Sequence, residues 1–186
     1  MTIFSKVSIC AVLIALSAPA LAQLSMYGKV LTESGESLAG AQIQLGQITA
    51  TTDANGRYEM TTGAGDIYMF RYSADGHFPM IHSYSPLELA WRPRQSPDQP
   101  IMLPDVTLVT RAEGRTMLVF GGDAMMGRRF SNPSEGEPTL IRKGHEAEDT
   151  LALMRHVKPY LEVADLASVN LETQVMSAQP EQNAPK

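Results

Sequence analysis

Cysteine is almost missing from this chain: among 186 residues only Cys10 carries a thiol, and it sits inside the apolar run from Val7 to Leu16. Positive charge is also short, with 15 Lys and Arg against 20 Asp and Glu and a net charge of −5. That balance argues against a nucleic-acid binder, whose affinity rests on neutralising phosphates with clustered Lys and Arg. After Ala22 no apolar stretch approaches the roughly 20 residues that a membrane-crossing helix needs. Tryptophan occurs once, at Trp91. What is present is ordinary for a packed protein: 44% hydrophobic and 19% charged residues, enough apolar matter to build a core.

Lys6, the apolar run Val7 to Leu16 and the small residues Ala20 and Ala22 form the three parts of a cleavable secretion signal. Its apolar part is too short for a stable membrane anchor. Cleavage before Gln23 takes Cys10 with it, which excludes disulfides, thiol nucleophiles and zinc–cysteine sites from the mature chain. Residues 1–22 are therefore predicted to be a signal peptide and the product to be exported, periplasmic, cell-surface or secreted, with no integral membrane segment after cleavage.

From Leu24 to about Ser85 short alternating segments are broken by Gly, Asp and Asn, the pattern of strands and tight turns. Met26 to Leu31, Ala41 to Leu45, Arg57 to Met60 and Ile67 to Tyr72 are predicted strands. Asp53-Ala54-Asn55-Gly56 is predicted as a hairpin turn, and that role is preferred to calcium ligation by Asp53 and Asn55. Pro86, Pro93, Pro97 and Pro100 mark 86–100 as a connector, with Trp91 expected to pack on a neighbouring domain rather than to serve as a sugar platform. Ile101 to Val109 returns to strand character and closes an antiparallel two-sheet sandwich over 23–110.

The ordered pieces Gly28-Lys29-Val30, Leu38-Ala39-Gly40-Ala41, Asp53-Ala54-Asn55-Gly56-Arg57-Tyr58 and Asp75-Gly76-His77 resemble the carboxypeptidase regulatory-like module, a sandwich of transthyretin or carbohydrate-binding-like type. The resemblance implies an accessory or binding role for this half.

A second half begins near Arg115. Thr116 to Phe120 is predicted to be a buried parallel strand ended by Gly121-Gly122-Asp123. Leu151, Met154, Val157 and Leu161 share a helical face, with Asp149 as a cap and Pro159 opening a new turn. Leu166 to Val169 is a second strand, followed by Asn170-Leu171-Glu172. Parallel strands put both polar ends on one edge, where α/β folds place sites. Asp123, Asn170 and Glu172 are hard oxygen donors suited to a magnesium- or manganese-like ion, and Arg128 is a candidate anion contact. His145 and His156 read as surface residues, His77 and His82 as structural or exposed residues of the sandwich.

The runs Phe120-Gly121-Gly122-Asp123-Ala124-Met125-Met126-Gly127-Arg128 and Ala164-Asp165-Leu166-Ala167-Ser168-Val169-Asn170-Leu171-Glu172 resemble the poly-γ-glutamate capsule-synthesis (CapA-like) proteins, over about Arg115 to Thr173. The resemblance implies a domain of calcineurin-like metallophosphatase type, with Asp123 as a metal-binding aspartate. That family continues to an Asn-Asn-His motif, whereas this sequence passes into a polar tail over 177–186. The expectation is α+β overall: a sandwich, then a truncated α/β unit over 115–176, with a divalent metal in the complete domain and none firmly expected in the fragment. The expected function is that of an exported cell-envelope protein related to capsule synthesis, whose complete domain is a metal-dependent hydrolase or transferase. The alternative is a non-catalytic sandwich holding a glycan or another envelope component. The expected partner is a capsule polymer or glycan, with no nucleic acid.

Overall fold

The computed structural model describes residues 23–92, 94, 96, 99–125 and 130–172. The signal segment 1–22, Arg128 and the tail 177–186 lie outside the described residues. The elements run β1 (Leu24–Thr32), β2 (Gln42–Leu45), β3 (Ile48–Thr51), β4 (Arg57–Thr62), β5 (Tyr68–Ser73), β6 (Met80–Tyr84), α1 (Pro86–Ala90), β7 (Ile101–Met102), β8 (Val106–Leu108), β9 (Leu118–Ala124), α2 (Glu146–Met154), α3 (Lys158–Glu162) and β10 (Leu166–Leu171). The described residues are thus mostly β, and their helices are short.

The first half is a two-sheet sandwich. One sheet has the order β3-β2-β5-β6 and is antiparallel throughout. The other is built on β1, which pairs antiparallel with β4 and parallel with β7 and β8. The two-residue period turns one side of each strand inward, so that Met26, Val30, Tyr58, Met60, Ile101 and Leu108 of one sheet meet Ile43, Phe70, Tyr72 and Tyr84 of the other. Each large side chain so buried contributes about 1.5–3 kcal/mol. Tyr58 and Tyr72 hydrogen-bond hydroxyl to hydroxyl at 2.8 Å across the core, which answers the polar tip of each ring. Burial pushes the Tyr58 hydroxyl up to about 12 and raises Tyr72 as well.

Four expectations for this half change. The sandwich is not purely antiparallel: β7 and β8 lie parallel to β1, with Tyr27 opposite Met102 and Val30 opposite Val106. The Asp53–Gly56 turn is tight, but it carries the chain from β3 in one sheet to β4 in the other instead of closing a hairpin. Its Asp53 Oδ1 accepts the backbone N–H of Asn55 and of Arg57, both at 2.8 Å, which uses the carboxylate as a turn brace. Finally, the start of the proline-rich stretch is a helix. Ser85 caps α1 by accepting the Glu88 N–H at 3.1 Å, and Pro86 stands in the first turn, where its missing N–H has no partner to lose. Trp91 does not pack on a neighbour; it is 81% exposed.

The second half is a small parallel unit in which β9 and β10 pair, joined by α2 and α3. The predicted burial is absent: Leu118, Phe120, Leu166 and Leu171 are all exposed. Two parallel strands and two short helices cover neither sheet face. β9 also begins two residues later than predicted and runs through Gly121, Gly122 and Asp123 to Ala124. Asp149 is not the α2 cap. That position belongs to His145, whose side chain makes no capping bond, while Asp149 accepts Arg142 through both guanidinium arms at 2.7 and 2.9 Å and through its backbone N–H at 2.8 Å. These bonds hold the Asp149 carboxyl down at about 2.

The halves are joined by polar ties. Arg111 donates to Asp165 Oδ1 at 3.0 Å, Arg115 to both oxygens of Glu33 at 2.7 and 2.8 Å, and Tyr160 to the Ser83 hydroxyl. Asp165 Oδ2 also accepts the Met117 N–H at 2.9 Å, one residue before β9. Between the halves lies a cavity of about 390 Å³ lined by Phe78, Met80, Val109, Met117 and Leu118.

Candidate metal site

Parallel pairing sets the carboxyl ends of β9 and β10 side by side. The register runs Leu118↔Leu166, Val119↔Ala167 and Phe120↔Ser168, then resumes at Asp123↔Asn170. Between those points β9 advances three residues and β10 two, so Gly121 and Gly122 together face Val169 alone in a β-bulge. Without the extra residue Asn170 would oppose Gly122. The bulge therefore brings two of the three predicted ligands together: Asn170 Nδ2 donates to Asp123 Oδ1 at 2.7 Å. An ionised carboxylate only accepts, so the amide nitrogen turns toward Asp123.

Glu172 lies one residue beyond β10 and is exposed, as are Asp123 and Asn170. No group of three or more His, Cys, Asp or Glu side chains among the described residues is arranged to hold a metal ion. The donors fit a hard divalent ion in kind but form only part of a ligand shell. His145 approaches Glu148 at 3.4 Å and His156 Nε2 accepts from Arg155 at 2.9 Å, each engaged with its sequence neighbours. His82 packs edge-on against Tyr72 in the sandwich, and burial lowers its pKa.

Sequence reasoning missed Asp165 as a residue that positions the site. It was visible only as part of the Ala164-Asp165 motif, yet it ties the starts of both strands together and so sets how they run side by side. An aspartate directly before an apolar strand was the available signal.

The bulge makes a specific demand on Gly121. A Cβ there would lie 2.7 Å from Val169 Cγ1, whereas at Gly122 it would meet nothing within 4 Å. Valine is stiff at χ1 and yields poorly. Gly121→Ala is expected to cost the strand pair about 1–3 kcal/mol, and Gly122→Ala within about 0.5 kcal/mol of nothing. Hydrogen exchange of the β9 and β10 amides reads both; equal protection in the two variants would reject the bulge as the register device.

The described residues thus define a mostly-β protein, a two-sheet sandwich followed by a small parallel β-α-β unit. Neither a protein-family model nor a curated protein matches the chain. Among solved structures, the chain is similar to chlorocatechol 1,2-dioxygenase from Pseudomonas putida at 17% identity, with a TM-score of 0.37, over 47% of this chain and 60% of that one. It is also similar to catechol 1,2-dioxygenase from Acinetobacter sp. ADP1, at 15% identity and a TM-score of 0.39, over 53% of this chain and 56% of that one. A type II cohesin–X-dockerin complex from Acetivibrio cellulolyticus matches at 11% identity and a TM-score of 0.34, over 51% of this chain and 67% of the other. The chain therefore spans about 60% or less of the two dioxygenases' length.

Proposed function

We propose that this is an exported cell-envelope protein whose second half belongs to a CapA-like, metallophosphatase-type domain, a metal-dependent hydrolase or transferase acting on a capsule-like polymer or a phosphate ester. The observation that carries the reading is the Asn170–Asp123 hydrogen bond at the carboxyl ends of paired parallel strands. Residues from two separate sequence motifs meet there, the Asn170 amide nitrogen on the Asp123 carboxylate, which leaves the Asn170 amide oxygen and the second Asp123 oxygen as the hard donors, in the part of an α/β fold where ligands bind. Asp123, Asn170 and Glu172 would hold a manganese- or magnesium-like ion, which when bound supplies Lewis-acid polarisation of a phosphoryl or carbonyl oxygen. The amide of Asn170 orients the Asp123 carboxylate toward its task. Arg128, five residues past Asp123, is the proposed anion contact.

Titration of the chain with manganese chloride is expected to give weak binding, about 1 mM or weaker, because a site with few fixed ligands leaves most of the ion's water in place. Asp123→Ala is expected to abolish it, and Glu113→Ala, an exposed acid in the linker before β9, to leave it intact. Asp149 is a poor control because it anchors Arg142. Binding that survives Asp123→Ala would falsify the assignment.

A further inference from the structure

The strand that organises one sheet of the sandwich starts one residue after the expected signal cleavage point. β1 opens at Leu24, which lies opposite Thr62 of β4, and the same strand carries β7 and β8 on its other side. Gln23 stands directly ahead of it. That residue is exposed, and its side-chain carboxamide makes no hydrogen bond among the described residues. With Leu24, Tyr68, Leu89, Arg94 and Ile101 it lines a cavity of about 200 Å³ at the head of the strand. Tyr68, Leu89 and Ile101 are buried core side chains, and the Tyr68 hydroxyl is taken by the Gly65 N–H at 3.0 Å, so most of this lining is apolar.

We infer that Gln23 is a modification site: once cleavage after Ala22 frees its α-amine, the residue closes to a pyroglutamyl ring and the mature chain starts uncharged. The inference rests on the export reading above, since signal removal is what puts Gln23 at a terminus. The α-amino nitrogen attacks the side-chain Cδ. An N–Cδ bond forms, the Cδ–Nε2 bond breaks, and the departing nitrogen takes a proton from the amine and leaves as ammonia. Nothing is oxidised or reduced, and no co-reactant is consumed. Nucleophile and target belong to one residue, which holds them at high effective concentration. The carboxamide has no partner to give up, and every ring atom comes from Gln23, so Leu24 keeps its place opposite Thr62. The product also suits its surroundings better than the open form. A terminal ammonium would share the cavity with the Arg94 guanidinium, like charge against like beside apolar walls, whereas the lactam carries no charge. The ring fixes the torsion about N–Cα, as proline's does, and removes the free amine on which aminopeptidases act. The head of β1 is thereby stiffened and blocked.

The test is made on the protein recovered from the exported fraction of cells that express the full chain, by intact mass and by stepwise Edman degradation. The expected product has the mass of residues 23–186 less one ammonia. It gives no Edman signal until a pyroglutamyl aminopeptidase has acted on the denatured chain, after which it reads Leu24, Ser25, Met26. Gln23→Ala has no carboxamide to attack, so that chain is expected at full mass and readable from its first residue. A parent chain that starts at Gln23, keeps its full mass and reads Gln23, Leu24, Ser25 overturns the ring closure while leaving the export reading intact. A chain that still begins at Met1 overturns the export reading and the closure with it. An ammonia loss that persists in Gln23→Ala overturns the assignment to this residue.

Discussion

Gly56→Ala is expected to lower the stability of the sandwich by about 2–4 kcal/mol, the sum of a left-handed backbone penalty and overpacking. Gly56 sits at φ 70° in the corner where the chain passes between sheets, and a Cβ there would lie 2.5 Å from the Val30 carbonyl oxygen and 3.1 Å from the Leu38 nitrogen. Both obstacles are backbone and cannot swing aside. They are also hydrogen-bonded: Val30 N donates to Gly56 O at 2.8 Å and Leu38 N to Val30 O at 2.9 Å, so any retreat breaks the link between β1 and the corner. Gly46 provides the comparison. Its φ is 58°, yet a Cβ there meets nothing within 4 Å, so Gly46→Ala bears only the backbone term of about 1–2 kcal/mol. Thermal melts should separate the two by about 5–15 °C. Equal shifts would mean that the corner opens freely and that the close approach has no energetic weight.

The second large effect concerns the joint. Asp165→Ala removes the acceptor for the Met117 N–H and the partner of Arg111 together. Cleavage of the region 112–172 by a non-specific protease is expected to quicken about ten-fold, while the melting of the sandwich stays in place. Acid should do the same to the unaltered chain. The bond from Met117 and the Arg111 charge hold the Asp165 carboxyl below its usual 3.8, and Arg115 holds Glu33 below 4.5. A carboxyl depressed in the folded state contributes stability that is complete above the unfolded value and is lost as pH falls through the folded one. The joint should therefore loosen below about pH 4, which pulse hydrogen exchange over pH 2–5 can follow. A β9 that stays equally protected across that window, or in Asp165→Ala, would show that the sandwich holds the second half by other means.

Local chemistry made the strands of the sandwich readable. The alternation of Gln42-Ile43-Gln44-Leu45 and Arg57-Tyr58-Glu59-Met60 reappears as alternating exposure and burial in β2 and β4. Partner choice was not readable, because alternation says which side of a strand is apolar and nothing about which strand lies beside it. The parallel run of Ile101 to Leu108 along β1 is decided about 75 residues away in sequence. For the same reason the Asp53–Gly56 turn was read correctly as a turn and incorrectly as a hairpin. Pro86 misled because a proline stops a helix from inside but starts one from its first turn, and Ser85 was the residue that distinguished the cases.

At the candidate site the motifs carried Asp123 and Asn170 to the same edge, and the parallel strands had been foreseen. The bulge was beyond reach, since two glycines in a row read as a strand end. The exposed faces of β9 and β10 show the converse: apolar runs imply burial only when other layers exist to supply it.

The pairing of β1 with β7 and β8 also decides how the sandwich carries mechanical load. Its first strand and its last lie side by side and point the same way. A pull applied at Leu24 and at Leu108 drags the two strands lengthwise past each other, in shear. Every hydrogen bond between them then bears the force at once, whereas strands peeled from one end would yield bond by bond.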